Sequence, residues 1–143
     1  MRLSRTVGYA VQATLQLAQS PSGRPVPCSR LAAVGKMPER FLLQVLRNLV
    51  THGILRSTRG VDGGYSLDRD AEEISLLEVM EAIEGPLGSG IPEGDGFSEQ
   101  AQQTLRAALA QVADTTRSQL AAIKLSSLLP SPASLGDKAA ATA

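Results

Sequence analysis

Between residues 4 and 85 the apolar positions fall into four runs with helical spacing, and the gaps between them are rich in glycine, proline and serine. In the first run Val7, Ala10, Val11, Leu15 and Ala18 recur three or four apart, with Thr14 as the polar member of the stripe. This predicts a helix over 4–19, stopped by Ser20-Pro21-Ser22-Gly23. Pro25-Val26-Pro27 reads as extended chain, because each proline restricts the residue before it. Cys28 to Val34 forms a short second helix with Leu31, Ala32 and Val34 as its apolar side. Gly35-Lys36-Met37 makes the turn, with Gly35 expected just past the helix end. Pro38 sits near the start of a third helix, Glu39 to His52, where its missing N–H costs nothing. That helix turns Phe41, Leu42, Val45, Leu46, Leu49 and Val50 inward and leaves Arg40, Leu43, Gln44, Arg47 and Asn48 outside.

After His52-Gly53 the period changes. Ile54-Leu55-Arg56-Ser57 and Tyr65-Ser66-Leu67 read as short strands. Between them Gly60, Gly63 and Gly64 permit a tight reversal that presents Arg59. Ser75 is a good N-cap, with Glu78 at capping-box spacing. Ile74, Leu76, Leu77, Val79, Met80 and Ile83 supply the core of a fourth helix, which Gly85-Pro86 ends. Residues 86–97 read as a flexible loop. Ser98 caps a long helix predicted over 98–129, with Leu105, Leu109, Val112, Thr116, Leu120 and Ile123 as a heptad-like seam. The seam suits a second copy of the chain; the alternative is that it folds back on its own domain. From Pro130 onward the Ala/Ser/Pro-rich tail, 130–143, is expected to be disordered.

Two helices joined by a short glycine-containing turn are the helix-turn-helix pattern. With the hairpin, they predict a mainly α fold. It has a winged helix-turn-helix unit over 1–85, a two-stranded β wing and a long C-terminal dimerisation helix.

Charge sharpens this picture. The net charge is zero, yet residues 1–70 hold ten basic and four acidic groups, a balance of +6, and the remainder carries −6. A basic half that contains the helix pair and the hairpin suggests a polyanion partner for that half, against the alternative of a solvated charge mixture; with the winged-helix layout, the expected polyanion is double-stranded DNA. Two Phe, two Tyr and no Trp argue against aromatic base-stacking platforms. One cysteine excludes an intrachain disulfide. No apolar run approaches membrane-spanning length and no signal-peptide core is seen, so no membrane association and a cytoplasmic location are expected.

The residues also resemble a family. Met1-Arg2-Leu3-Ser4, Tyr9-Ala10-Val11, Phe41 to Leu46, Gly53 to Ser57, the wing with Arg59-Gly60 and Gly63-Gly64-Tyr65, Ile74-Ser75-Leu76 through Glu84-Gly85, and Ile123 to Leu129 are similar to the Rrf2 family. These are bacterial winged-helix regulators of the IscR, NsrR and CymR types. The resemblance implies a homodimer reading a pseudo-palindromic operator. It also exposes a departure: cluster-binding members carry three cysteines in the loop before the long helix, and residues 86–97 here carry none. Iron–sulfur ligation takes cysteine thiolates or, less often, histidine, so no cluster, metal or other cofactor is expected. The effector, whether a protein or a small molecule, is left open.

Arg59 is expected in the minor groove, where narrow A·T-rich stretches concentrate negative potential. Arg40, Gln44 and Arg47 share one helix face, and Arg and Gln can make bidentate contacts to base edges. Leu43 lies between them and can pack on a thymine methyl; the alternative is a peripheral core residue. Arg2, Arg30, Lys36, Arg56, Ser57, Gly60, Gly63, Gly64 and Tyr65 complete the expected DNA-binding set. Cys28, at a helix start beside Arg30, has two features that lower a thiol pKa. It is therefore a candidate redox switch, against the alternative of a structural thiol. Glu78, Glu81 and Glu84 read as a solvated face, and no catalytic constellation is present. The readings that follow are a DNA-binding regulator, a repressor in the first instance; a thiol sensor acting through Cys28; and a protein-interaction module that has lost DNA binding.

Overall fold

The structure, a computed structural model, describes residues 1–88 and 96–130. Ser4 accepts a hydrogen bond from the Val7 N–H at 3.2 Å and starts α1, Arg5–Ala18. The buried stripe of α1 is Val7, Ala10, Ala13, Thr14 and Leu17. The expected stripe is thus rotated: Val11 and Leu15 pack at the core's margin, and Ala13 and Leu17 take the centre. Thr14 is fully buried because its hydroxyl donates to the Val11 carbonyl at 2.8 Å, which satisfies it within the helix.

A 3-10 turn, Pro21–Gly23, leads through extended Pro25–Pro27 into α2, Cys28–Gly35. The end of α2 differs from expectation. Gly35 is the last helical residue, and Lys36 takes the left-handed conformation at φ 53°. A Cβ at Gly35 would stand 2.6 Å from Met37 Cε and 2.9 Å from Gln16 Nε2, so the ends of these two flexible side chains would shift to admit it. The Met37 N–H donates back to the Ala32 carbonyl at 2.9 Å, closing the turn despite the cost of a side chain at positive φ. Val34 is 67% exposed and does not join the apolar side of α2.

In α3, Glu39–Thr51, the residues Leu42, Val45, Leu46 and Leu49 are buried. Phe41 is not; it lies at the surface, edge-on to Tyr9 with ring centroids 5.8 Å apart. Gly53, at φ 74°, turns the chain into β1, Leu55–Thr58, which pairs antiparallel with β2, Gly64–Leu67. Next comes α4, Leu76–Glu84, with the expected capping box: the Ser75 hydroxyl accepts from the Glu78 N–H, and the Glu78 carboxylate accepts from the Ser75 N–H.

The long helix α5 runs Glu99–Ala122, and its cap at Ser98 is as expected. It does not continue to Leu129. At Ile123 the backbone becomes extended, and a short α6, Leu125–Leu128, follows. Two hydrogen bonds, Leu76 N–H to the Ile123 carbonyl and Leu125 N–H to the Ile74 carbonyl, break the helix by pairing this segment with the start of α4. They place Leu125 in the main core, fully buried. Leu120 is also taken by its own chain, in a second cluster with Val7, Leu77 and Met80. Leu120 and Ile123 therefore leave the expected seam. Leu105, Leu109 and Thr116 remain half-exposed and Val112 exposed, and Leu120 is the one buried residue among the 24 of α5. The predicted loop lies largely, and the predicted tail almost wholly, outside the described residues.

Glu78 and Glu81 are not a merely solvated face. Glu81 pairs with Arg117 of α5 at 2.7 Å, and Glu78 pairs with Arg69 at 2.5 Å. Burial works against the charge on Glu78, but the Ser75 N–H, Arg69 and the Ser75 hydroxyl outweigh it and hold the carboxyl below its usual value of about 4.5. A depressed folded-state pKa contributes stability above the unfolded-state pKa and loses it as pH falls through the folded value. Glu78→Gln is therefore expected to be less stable than wild type at neutral pH, with the gap closing as the solution is acidified below about 4.5. Ser75→Ala should cost about 1 kcal/mol. Urea titrations at several pH values check both.

Candidate DNA-binding surface

The exposed face of α3 follows from helix geometry. At 100° per residue, positions 40, 43, 44 and 47 span an arc of about 100° opposite the buried face. Arg40, Gln44 and Arg47 are exposed, and neither arginine has a carboxylate within 4.0 Å among the described residues. Gln44 donates to Asn48 Oδ1 at 3.3 Å, which steadies it along the helix and leaves its amide oxygen open. Leu43 is half-buried and joins neither apolar cluster.

The wing is braced against the helix pair. Tyr65 and Val26 exchange both backbone hydrogen bonds at 2.9 Å, so the stretch before α2 adds a bridge to the edge of β2. Gly64, at φ 147°, makes this approach possible, because a Cβ there would collide with the Val26 carbonyl. A Cβ on Gly63 would likewise meet the Thr58 carbonyl oxygen. The turn between the strands is thereby held, with Arg59 and Gly60 exposed on it and Ser57 exposed on β1. Tyr65 itself is half-buried and packs on the main core. Arg56 is exposed but pairs with Asp68 at 3.0 Å. Arg2, Arg30 and Lys36 are exposed: Arg2 ahead of α1, Arg30 on α2 and Lys36 in the turn between α2 and α3. Two residues of this surface were not singled out from sequence. Val61 in the wing turn is fully exposed, and Arg24 stands beside it; an apolar residue inside a glycine-rich turn was the available signal.

Cys28 differs from expectation. It is half-buried, and its thiol donates to the Glu39 carbonyl at 3.7 Å. Burial, and after it the Glu39 carboxylate, push the thiol above its ordinary range rather than below. Arg30 lies two positions along α2, about 200° away around the helix. The charge that faces the sulfur is negative.

These elements make a winged helix-turn-helix fold. The Rrf2 family, described as iron-dependent transcriptional regulators, matches residues 3–131, and the chain belongs to it. A Mycobacterium tuberculosis protein named as an HTH-type transcriptional regulator is 46% identical over 89 residues, 62% of this chain and 55% of that protein. The chain thus spans about half the length of that relative. IscR of Escherichia coli is 31% identical over 109 residues, 76% of this chain and 67% of IscR. Among solved structures, CymR of Bacillus subtilis superposes with TM-score 0.71 at 22% identity, over 90% of this chain and 95% of that one. IscR of T. potens gives 0.66 at 26% identity, over 97% and 88%. The relatives are transcriptional regulators rather than enzymes. Among the described residues no helix is long and apolar enough to cross a membrane.

The donor set does not fit iron. The chain has one cysteine and one histidine. Cys28 contacts the first residue of α3, and His52 caps its far end with Nδ1 on the Asn48 carbonyl. The 13-residue helix between them is about 20 Å long. No trio of His, Cys, Asp or Glu converges among the described residues.

The thiol geometry gives a direct expectation. Alkylation of Cys28 by iodoacetamide should be slower than that of a free cysteine at neutral pH and should still be rising through the ordinary thiol range. A rate that levels off below neutral pH would contradict the raised pKa.

Proposed function

We propose that this protein is a DNA-binding transcriptional repressor, cytoplasmic in a bacterium, that acts as a homodimer on a pseudo-palindromic operator and carries no iron–sulfur cluster. The observation that carries this reading is the pairing of an open α3 face with a glycine-braced wing. Arg40, Leu43, Gln44 and Arg47 face outward from α3, and Arg59 stands exposed on the wing. A helix face of this width fits the major groove, where Arg and Gln read guanine and adenine edges. Leu43 supplies an apolar contact for a thymine methyl. Arg59, on a turn with little side-chain bulk, suits the narrow minor groove.

The homodimer is supported by α5. Leu105, Leu109, Val112 and Thr116 lie on one stripe of a helix about 36 Å long. Among the described residues of the protomer, only the last turns of α5 are covered. A repressor role is the simplest consequence of a protein that occupies an operator, because the bound dimer blocks access to the DNA it covers. The thiol-sensor reading is disfavoured by the partner and surroundings of Cys28. The reading as a module that has lost DNA binding is disfavoured by the basic groups left open on α3.

Two variants test the proposal. Arg59→Ala should weaken binding to the DNA upstream of its own gene and reduce the salt slope by about 1. The loss should be greatest at sites with A·T-rich flanks. Leu105→Glu with Leu109→Glu should give a folded monomer in sedimentation, because both side chains are half-exposed in the protomer and charge is unfavourable only where a partner buries it. Its DNA affinity should fall. A double variant that stays dimeric, or wild-type protein with salt-independent binding, would contradict the reading.

A further inference from the structure

Two clefts flank the stretch between α1 and α2, and they share Arg24, Pro25 and Pro27. One, about 500 Å³, lies between the end of α1 and α2 and is walled by Gln16, Gln19, Arg24 and Arg30. The other, about 570 Å³, lies between Arg24 and the wing turn at Val61, Asp62 and Gly63. Together they make one open trough from the wing turn, past Arg24, to Arg30. Neither arginine has a carboxylate within 4.0 Å among the described residues. Asp62 is the single acid on the lining, so the trough is net positive.

Arg24 is also held in place. Its N–H donates to the Pro21 carbonyl at 3.4 Å, and its carbonyl accepts from the Ser20 hydroxyl at 3.3 Å. Between these contacts Ser22 and Gly23 turn the chain at φ 63° and 60°. Holding the backbone in this way lowers the ordering cost of placing a charge against a ligand.

We propose that this trough carries the sugar-phosphate backbone bordering the wing's minor groove, with Arg24 and Arg30 each neutralising a phosphate. The inference rests on the DNA-binding reading above and extends its contact surface from the wing turn to Arg24 and Arg30. A strand that borders the groove entered by Arg59 must pass beside the wing turn, and Arg24 shares a cleft with that turn. Two arginines without acidic partners, in a trough open along its length, match a polyanionic strand better than a compact solute. Contacts of this kind position the protein without reading sequence. Arg24→Ala with Arg30→Ala should therefore weaken binding evenly across operator sequences.

The test is a salt titration of operator binding with wild type, the double alanine variant and Arg24→Lys with Arg30→Lys. The alanine pair should flatten the log–log slope by about 2, near 0.9 for each phosphate released, and the lysine pair should retain it. Phosphate ethylation just outside the wing's minor groove should interfere with wild-type binding and not with the alanine pair. Asp62→Asn should tighten binding. An unchanged slope in the alanine pair, with wild type still bound to DNA, would overturn the clamp alone. Absence of salt-dependent binding by wild type would overturn the underlying DNA reading instead. A third arm compares melting temperature in inorganic phosphate and in chloride at equal ionic strength. If phosphate stabilised wild type over the alanine pair while the slopes stayed equal, the trough would be a small-anion site and the proposal would fail.

Discussion

The aim of the wing depends on one close approach of two backbones. Gly64 lies against Val26 at a distance no side chain allows, and the reciprocal hydrogen bonds between Val26 and Tyr65 hold it there. A two-stranded hairpin alone is marginal in water. Here the Val26 bridge and the packing of Tyr65 and Leu67 on the core make it part of the helix-turn-helix unit. The same contact ties the wing to the stretch that opens α2, so the turn carrying Arg59 and the helix pair share one backbone frame.

A second constraint governs α5. Its C-terminal turns are fastened through Leu120, the Arg117–Glu81 pair and the hydrogen bonds around Ser75 and Lys124. The rest of the helix is covered by nothing in its own protomer among the described residues. Fastening one end sets the direction of the helix, and leaving the stripe open leaves work for a partner. In the dimer proposed here the separation of the two α3 helices would be fixed by this anchoring.

Much of this was legible in the sequence because the signals were local. Ser75 and Ser98 cap where capping chemistry says they should, and the period change at Gly53 marked the wing. What the sequence concealed depended on tertiary contact. Gly35 looks like a helix stop in sequence, yet it stays helical and Lys36 carries the positive φ, because the Met37 N–H closes the turn on the Ala32 carbonyl. Leu120 and Ile123 continued the heptad pattern in sequence, yet residues 123–125 pair with the start of α4 and pull the chain out of helix. Cys28 had a helix start and a nearby arginine in sequence, but Glu39, eleven residues on, faces the sulfur. On the candidate surface, the α3 face could be read from helical period alone. Arg24 could not, because its proximity to the wing comes from the Val26 bridge.

In the proposed dimer, two such units joined through α5 would present their α3 faces and wings to one side of a duplex. Hydroxyl-radical footprinting on an operator tests it most directly. Such a dimer should protect two half-sites related by an approximate dyad, centred one helical turn or a whole multiple of about 10–10.5 base pairs apart on one face of the DNA. Protection of a single isolated half-site at saturating protein, or of half-sites on opposite faces, would contradict it.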